Sequence, residues 1–381
     1  MNSTAHDREG LSCVLISFYP VRMSETQDLR RGEVRGRGAV SNIVGRFEPY
    51  QRVAVDDGWV AQEEGMLRTE VAVEVPRSVI SRNTSPDVPF DRSVNPYRGC
   101  EHGCVYCFAR PGHAWLGLSP GQDFESRLIA RPSAPEVLAK ELRKKAYRPD
   151  VLAIGTYTDP YQPIEKEHKV MRGLLKVLRD FRHPVSIVTK GTLIERDIDI
   201  LSDMAADNLV RVGISVTTLD PKVSRLMEPR VPSPARRLQV IERLSGAGIP
   251  VNVSASPMVP ALTDHELEGI LEAAATAGAR SATSIMLRLP AEVAPLFEEW
   301  VHVHFPDRAK RILGRIRELH GGALYESNFG TRMSGQGIWA QQMAARLKVA
   351  RKRYGLSEDR APLRCDLFAP PLAVGDQLSL F

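Results

Sequence analysis

Three cysteines, Cys100, Cys104 and Cys107, stand within a stretch of eight residues. The spacing C-x3-C-x2-C brings three soft thiolates together, and such thiolates bind zinc or iron–sulfur clusters. A tetrahedral zinc site needs a fourth protein ligand, which His102 or His113 could supply. A [4Fe–4S] cluster held by three cysteines would instead leave one iron open to a small molecule. The residues therefore predict a metal centre, and the lack of a fourth nearby cysteine favours the cluster.

Composition sets broad limits on what the chain can be. The 381 residues are 43% hydrophobic and 25% charged, enough for one large domain or two modest ones. A net charge of +5 permits a nucleic-acid partner without requiring one. The two other cysteines, Cys13 and Cys365, lie far from the loop, which argues against a disulfide framework. No apolar run is as long as a membrane span, and an iron–sulfur loop suits a reducing compartment, so we expect a cytoplasmic protein.

The elements that must position the cysteines begin at Ser93, where strand-like and helix-like segments start to alternate. Buried-looking strands separated by helices argue for a parallel α/β sheet, and six such units predict a partial (β/α)6 barrel. The strands are expected at Ser93–Tyr97, Val151–Thr156, Pro184–Thr189, Val210–Thr217, Pro250–Pro257 and Ala282–Leu287. Because the cysteine loop follows the first strand, it should lie at the carboxyl ends, where such folds place their active sites.

The rest of the chain is expected to surround this barrel. Helices are predicted at Pro135–Ala146, Lys166–Phe181, Glu195–Asp207, Pro234–Ala247, Asp264–Ala277, Val293–His320 and Ile338–Tyr354. The organisation predicted is a disordered basic segment (1–45), an N-terminal extension (46–92), the barrel (93–320), a C-terminal helical segment (321–360) and a flexible tail (361–381).

The cysteine loop resembles the signature of the radical S-adenosylmethionine (radical SAM) superfamily, in which an aromatic residue, here Tyr106, precedes the third cysteine. Further stretches are similar to the spore photoproduct lyase-related branch, and the similarity covers roughly Arg46 to Arg317. They are Asn95–Arg110, Gly155–Glu165, Thr189-Lys190, Glu195–Leu201, Ile214–Asp220, Met227–Pro234 and Ala247–Pro250. The resemblance implies a [4Fe–4S] cluster, S-adenosyl-L-methionine and its reductive cleavage to a 5′-deoxyadenosyl radical. It also implies an electron donor such as a flavodoxin or ferredoxin.

The resemblance also implies roles for individual residues. Cys100, Cys104 and Cys107 would hold the cluster, and Tyr106 would lie against the adenine, chiefly through its backbone. Thr158 and Asp159 would meet the methionine amine, which needs acceptors.

On the next two strands, Lys190 would neutralise the methionine carboxylate, and Ser215 would hydrogen-bond the cofactor. The alternatives are a turn-forming Asp159 before Pro160 and a satisfied strand hydroxyl at Ser215. Arg230 and Glu228 are read as a structural ion pair.

Two departures separate the chain from spore photoproduct lyases. Those enzymes use a cysteine near the second strand as hydrogen donor, whereas this chain has none from Thr156 to Asp159. They also have a tyrosine directly after the third cluster cysteine, where this chain has Phe108. Reversal of a thymine dimer through that relay is therefore not expected. Cys365 could replace the missing donor only if the C-terminal segment folded over the barrel mouth; an inert thiol is the alternative.

The last five residues resemble the linear motif by which bacterial DNA polymerases and repair proteins dock onto the sliding clamp. In such a motif Leu380 and Phe381 would enter an apolar pocket, beside Leu378, while Gln377 would hydrogen-bond at the other end. The alternative is that the three hydrophobic side chains pack on the chain's own surface. A clamp motif would connect the protein to DNA.

Together these features predict a radical SAM enzyme that acts on a nucleic acid, with damaged or modified DNA as the leading substrate. Two other hypotheses remain open from the sequence. One keeps the enzyme but changes the substrate to RNA or a protein side chain. The other is a non-catalytic iron–sulfur module recruited to DNA by its tail.

Overall fold

A seven-stranded sheet forms the centre of the molecule in the computed structural model, which describes residues 36–48, 67–358 and 362–372. The strand order is β10-β9-β8-β7-β6-β3-β2, and every pair from β3 to β10 is parallel, while β2 is an antiparallel edge strand. The strands are β1 Glu70–Val73, β2 Ile80–Arg82, β3 Arg92–Val94, β4 Tyr97–Arg98, β5 Arg127–Ala130, β6 Leu152–Ile154, β7 Val185–Thr189, β8 Val210–Ser215, β9 Val251–Met258 and β10 Ser281–Met286. The six parallel strands confirm the predicted partial barrel.

Several of the longer helices cover the sheet with an apolar face. In the described residues the helices are α1 Asp123–Ser126, α2 Ala134–Leu142, α3 Glu165–His168, α4 Val170–Asp180, α5 Ile198–Ala206, α6 Pro221–Met227, α7 Pro234–Gly246, α8 Leu267–Thr276, α9 Val293–His304, α10 Ala309–Leu319 and α11 Gly337–Arg353. Short 3₁₀ helices lie at Arg110–Leu116, Thr192–Asp197, Asp264–Glu266 and Pro306–Arg308. On α4, for example, Val170, Met171, Leu174, Leu175 and Leu178 are all buried, the spacing of one helical face.

Two predicted helices are each divided in the structure. The segment Lys166–Phe181 breaks at Lys169, which adopts a φ of 52°. The buried Glu165 carboxylate accepts a hydrogen bond from the Met171 N–H, which starts α4 as a separate helix. The segment Val293–His320 breaks after His304, where Pro306 has no N–H to continue the helical ladder.

The first predicted strand is also divided. Residues 93–97 do not form one strand, because β3 ends at Val94 and β4 begins at Tyr97. Pro96 between them cannot donate a ladder hydrogen bond. The chain leaves the barrel sheet there and joins a second, three-stranded sheet of order β1-β5-β4. The cysteine loop therefore follows β4 of the second sheet, with Cys100 two residues after Arg98.

The segment 362–372 differs from the expected flexible tail, because it packs on the chain. The Phe368 ring contacts the rings of Tyr147 and His183, and the Ala369 N–H donates to the Phe181 carbonyl at 3.0 Å. Phe181 and His183 precede β7, so this segment lies at the amino ends of the strands. Cys365, half-buried within it, is thus at the opposite end of the barrel from the cysteine loop.

Several expectations concern residues beyond the described ranges. The basic segment before residue 36 and the motif residues Gln377, Leu378, Leu380 and Phe381 lie outside them. The boundaries of the predicted domains remain predictions. In the described part of the chain, no helix has both the length and the apolar character needed to span a bilayer.

Candidate cofactor site

A cavity of about 770 Å³ opens at the carboxyl ends of the parallel strands, and all three cysteines of the loop line it. This volume is within the range of small-molecule sites, about 300–1,000 Å³. Its wall includes the ends of successive strands: Gly155 after β6, Lys190 after β7, Ser215 on β8 and Pro257 on β9. The predicted position of the loop is therefore the observed one.

The cysteine loop is a series of tight turns fixed by backbone hydrogen bonds. The Cys107 N–H donates to the Cys104 carbonyl at 3.2 Å, and the Cys100 N–H donates to the Phe124 carbonyl at 2.9 Å. The Val105 N–H donates to the Met227 carbonyl at 3.1 Å, which attaches the loop to α6. These bonds direct the three cysteine side chains toward one cavity.

Arg110 holds the loop from behind. Its side chain is completely buried and donates to the carbonyls of Cys104, at 2.9 Å, and Gly103, at 3.2 Å. The same guanidinium forms an ion pair with the Glu125 carboxylate on α1. A fixed, five-donor guanidinium is suited to such a task, because it satisfies several carbonyls at once.

The N-terminal residues 36–42 lie directly on this support. The backbone N–H groups of Gly38 and Ala39 each donate to the Glu125 carboxylate at 2.8 Å. Gly38 comes so close that a Cβ there would stand 1.8 Å from the Gly103 carbonyl oxygen. Residues 36–45, expected as the end of a disordered tail, are instead ordered against the cysteine loop, because Glu125 supplies acceptors for their N–H groups.

The cysteine side chains fit an iron–sulfur cluster better than a single zinc ion. Burial raises the pKa of the Cys100, Cys104 and Cys107 thiols, so they need a metal to hold them as thiolates. Among the described residues, no three His, Cys, Asp or Glu side chains converge closely enough to ligate one ion. Zinc would draw its sulfur ligands to about 2.3 Å from one centre. A four-iron cluster would bind each thiolate through a separate iron, so its three sulfur ligands need not meet at one point.

The two histidines proposed as a fourth zinc ligand do not join the cysteines. His113 is hydrogen-bonded through Nε2 to the Arg127 carbonyl at 2.9 Å. His102 Nδ1 lies 3.4 Å from Asp159 Oδ2. Both are buried, and neither joins the cysteines around one point. The zinc alternative is thus not supported by the geometry.

Asp159 connects the loop after β6 to the end of β7. Its carboxylate accepts from the Tyr161 N–H at 2.9 Å, the Thr189 hydroxyl at 2.6 Å and the Lys190 N–H at 2.7 Å. Burial alone would raise its pKa, but His102 and these donors lower the pKa to about 2. These three donors occupy most of the lone-pair positions of the carboxylate, while His102 Nδ1 lies 3.4 Å away without a hydrogen bond. This favours the turn-forming alternative, and its proposed contact with an amine remains a prediction.

Thr158 faces away from the cavity, so its predicted contact with the cofactor amine is not favoured. Its hydroxyl donates to the Tyr97 carbonyl at 2.9 Å, and the side chain is 1% exposed. The neighbouring residues of the same loop, Thr156, Tyr157 and Asp159, line the cavity instead. Sequence reasoning did not single out Tyr157, because an aromatic residue in a loop gives no motif by itself.

Tyr106, Lys190 and Ser215, predicted separately, meet on one wall. Lys190 Nζ donates to Ser215 Oγ at 2.8 Å and lies 5.9 Å from the centre of the Tyr106 ring. The Tyr106 hydroxyl donates to the Glu228 carboxylate, which is 4.0 Å from Lys190 Nζ. Although burial opposes ionisation, Arg237 and Lys190 lower the pKa of Glu228. The wall thus presents an ammonium and a hydroxyl beside the cysteines.

The expected ion pair between Arg230 and Glu228 is wrong. Glu228 pairs with Arg237 at 2.8 Å, and both side chains are fully buried. Arg230 pairs with Glu101 at 3.0 Å. Glu228 directly follows α6 and its side chain meets Arg237 on α7, whereas Arg230 meets Glu101 in the cysteine loop.

Comparison with known proteins gives both sequence and structural similarities. Residues 94–274 match the model of the radical SAM superfamily. An uncharacterized protein of Mycobacterium tuberculosis is 37% identical over 235 residues, which are 61% of this chain and 68% of the relative. An uncharacterized protein of Methanocaldococcus jannaschii is 30% identical over 174 residues, 45% of this chain and 62% of the relative.

Among solved structures, a spore photoproduct lyase complexed with dinucleoside spore photoproduct aligns with a TM-score of 0.55 at 14% identity. The alignment covers 75% of this chain and 80% of that chain. A mutant lyase with bound AdoMet and the same dinucleoside aligns with a TM-score of 0.53, also at 14% identity. At this identity the likeness shows a shared fold.

Proposed function

Because this chain belongs to the radical SAM superfamily, whose cofactors are a [4Fe–4S] cluster and S-adenosylmethionine, we propose that it is an enzyme that abstracts hydrogen from a nucleic acid. The substrate class we favour is damaged or modified DNA. The spore photoproduct lyase of the same fold carries a dinucleoside in its complex, which is consistent with such a substrate.

In this proposal the residues of the cavity divide into two groups. Cys100, Cys104 and Cys107 hold the cluster, and Arg110 keeps their loop in shape. Lys190 and Ser215 bind the methionine part of the cofactor, and Tyr106 borders its adenine. When bound, the cluster and cofactor supply a one-electron cleavage of the sulfonium, which yields methionine and a 5′-deoxyadenosyl radical able to take a hydrogen atom.

The observation that carries the nucleic-acid assignment is the charge of the cavity wall. Among the described residues, six cationic side chains but only the carboxylate of Asp159 line it. The cations are Arg82, Arg98, Arg131, Lys190, Arg288 and Arg332. Four of these arginines pair with carboxylates outside the wall, so Arg288 and Lys190 are the cations that remain to attract an anion such as a phosphodiester chain.

The reaction we propose is not the dimer reversal of spore photoproduct lyase. Of the cysteines in the described residues, those that line the cavity are the three of the loop. Phe108 has no hydroxyl, and Cys365 lies at the opposite end of the barrel. The thiol-and-tyrosine relay expected for the lyase therefore has no counterpart in this wall.

Partners and location belong to the same proposal. A one-electron carrier such as a flavodoxin or ferredoxin would reduce the cluster. The C-terminal residues Gln377, Leu378, Leu380 and Phe381 would bind a DNA sliding clamp. The location we propose is the cytoplasm, whose reducing conditions suit the cluster.

The decisive experiment follows hydrogen transfer from the substrate. Anaerobically reconstituted protein receives dithionite, S-adenosylmethionine and DNA that carries deuterium on carbon, with ultraviolet-irradiated and untreated DNA compared. Matched incubations contain deuterated RNA or deuterated protein. Mass spectrometry of the released 5′-deoxyadenosine measures the deuterium acquired.

Deuterium acquired from DNA, and more of it from irradiated DNA, is the expected result. Transfer from RNA or protein alone would reject DNA as the substrate. Absence of 5′-deoxyadenosine from protein with an intact cluster would reject the enzymatic assignment altogether.

A further inference from the structure

Two aromatic rings form an exposed corner beside the cysteine loop. Phe108 directly follows Cys107, and Tyr157 lies in the loop after β6; both line the cavity. Their ring centres are 6.5 Å apart, and their planes meet at 81°. Phe108 is 41% exposed and Tyr157 is 37% exposed, although large aromatic side chains are usually more buried. Aromatic surface held open inside a cavity is available to a ligand.

The Tyr157 ring is fixed in place by a glycine. The helix Arg110–Leu116 carries Gly112, where a Cβ would stand only 1.3 Å from the Tyr157 hydroxyl oxygen. The phenol therefore packs directly on the backbone of that helix. Gly112 thus leaves the space that the Tyr157 ring occupies beside Phe108.

Arg288 completes this corner. It follows β10, and its guanidinium carbon lies 4.7 Å from the centre of the Phe108 ring. Within the described part of the chain, Arg288 makes no ion pair or hydrogen bond, and its buried Nε atom has no acceptor. Burial is the main cause that lowers its pKa. A half-buried guanidinium with no carboxylate partner is available to a ligand that supplies an anion.

The other arginines of the cavity differ from Arg288 in having carboxylate partners. Arg82 pairs with Asp91, Arg98 and Arg131 both pair with Glu74, and Arg332 pairs with Asp87. Their charge is largely satisfied within the protein. Arg288 is thus the arginine in this wall whose charge is left for a ligand.

We propose that Phe108, Tyr157 and Arg288, the aromatic–arginine corner, bind a single unstacked nucleotide of the substrate. The base packs on the exposed rings, and Arg288 takes its phosphate in charge-assisted hydrogen bonds. This inference rests on the proposed function and adds that the nucleotide bound in the cavity is unstacked. A base within a duplex could not reach these rings, so the nucleotide must be extruded or lie in a single strand.

A second anion that Arg288 could meet is the methionine carboxylate of the cofactor. Lys190 already provides a cation at the end of the central strand β7, whereas Arg288 follows the edge strand β10, three strands away. Affinity for DNA and affinity for the cofactor are therefore measured separately in each variant.

The test is the binding of fluorescein-labelled single-stranded DNA to the reconstituted protein with S-adenosylmethionine, followed by anisotropy over a series of salt concentrations. We expect Arg288→Gln to bind about tenfold more weakly and to lower the slope of log affinity against log salt by about 0.7, the loss of one phosphate contact. Phe108→Leu should weaken binding about tenfold with an unchanged slope, since it removes stacking but no charge. Arg353→Gln, outside the cavity, is the charge control and should match the wild type.

Correct assembly of each variant is checked by the cluster absorbance, and Arg288→Lys serves as a second variant that keeps the charge. The lysine should retain the salt slope of the wild type. Variants that bind DNA as tightly as the wild type would overturn the corner while leaving hydrogen transfer from DNA intact. Lost cofactor affinity with unchanged DNA affinity in Arg288→Gln would overturn it as well. A wild-type protein that binds no DNA would contradict both this inference and the proposed function.

Discussion

The guanidinium of Arg110 and the carboxylate of Glu125 form an ion pair in which neither side chain retains any solvent exposure. The pair persists in the interior because each charge has further partners: carbonyls of the cysteine loop for the arginine, and backbone N–H groups of residues 38 and 39 for the carboxylate. It connects the N-terminal segment, α1 and the cysteine loop through one contact. The stability of the loop should therefore depend on it.

Replacement of Glu125 by glutamine should destabilise the protein strongly. Arg110 would remain buried without a counter-charge, and breaking such a pair costs about 3–5 kcal/mol in the free energy of unfolding. Urea unfolding of the metal-free protein measures the change. Glu318→Gln, which removes an exposed ion pair with Arg315, should change stability by no more than about 0.5 kcal/mol. Equal effects of the two substitutions would contradict a supporting role for the buried pair.

Replacement of Cys104 by serine should abolish the cluster. The remaining two thiols cannot hold a four-iron cluster whose fourth iron is already without a protein ligand. Iron and sulfide analysis, together with visible absorption after anaerobic reconstitution, measures the loss. Cys365→Ser should keep the full cluster content, because this thiol lies at the other end of the barrel. A cluster of normal composition in Cys104→Ser would show that the metal ligands have been misassigned.

Replacement of Lys190 by methionine should weaken binding of S-adenosylmethionine about tenfold, because a charge-assisted contact to the carboxylate is lost. Equilibrium dialysis with labelled cofactor on the cluster-loaded protein provides the measurement. The cluster content should not change, since Lys190 is not a metal ligand. Lys222→Met, an exposed position on α6, is the control. Unaltered cofactor affinity in Lys190→Met would place the carboxylate elsewhere.

His183 should make the protein less stable in mild acid. Burial lowers its pKa to about 4, while its Nδ1–H donates to the Pro184 carbonyl and Nε2 accepts from the Tyr147 hydroxyl. Between the unfolded pKa, about 6.5, and this lower value, the unfolded state binds a proton that the folded state does not. The free energy of unfolding should therefore decrease as the pH is lowered, by about 2 kcal/mol between pH 7 and pH 5.

The measurement is urea unfolding of the metal-free protein at pH 7 and at pH 5. His183→Gln should reduce the difference between the two pH values by about that amount, because it removes the titrating ring. His302→Gln, at an exposed position on α9, should leave the difference as in the wild type. A wild-type pH dependence that survives in His183→Gln would assign the acid sensitivity to other groups.

The parts of this molecule that the sequence predicts well are those encoded locally. The cysteine spacing identified the loop, and buried runs separated by amphipathic segments gave the six parallel strands of the barrel. The helix α6 was missed, although Asp220 followed by Pro221 is a helix-start signal, and the Asp220 carboxylate does accept from the Lys222 N–H at 2.7 Å. A helix of seven residues is too short for a clear apolar period.

The relationships that the sequence did not predict join residues far apart in the chain. Glu125 receives hydrogen bonds from residues 38 and 39, and Arg288 lies over the ring of Phe108, 180 positions away in the numbering. Ion-pair partners depend on which way a side chain leaves its helix. For that reason Glu228 pairs with Arg237 rather than with Arg230.

The anchoring of residues 362–372 at the amino ends of the strands restricts where a protein bound by the C-terminal residues can lie. From Leu372 to Gln377 an extended chain spans at most about 18 Å. The β9 strand, from Val251 to Met258, spans seven residue steps, about 23 Å, so this linker is too short to pass from one end of the barrel to the other. A protein bound by the last residues would therefore lie near the amino ends of the strands, on the side opposite the cavity. The cavity would remain accessible to a nucleic-acid strand while the enzyme stayed bound to that protein.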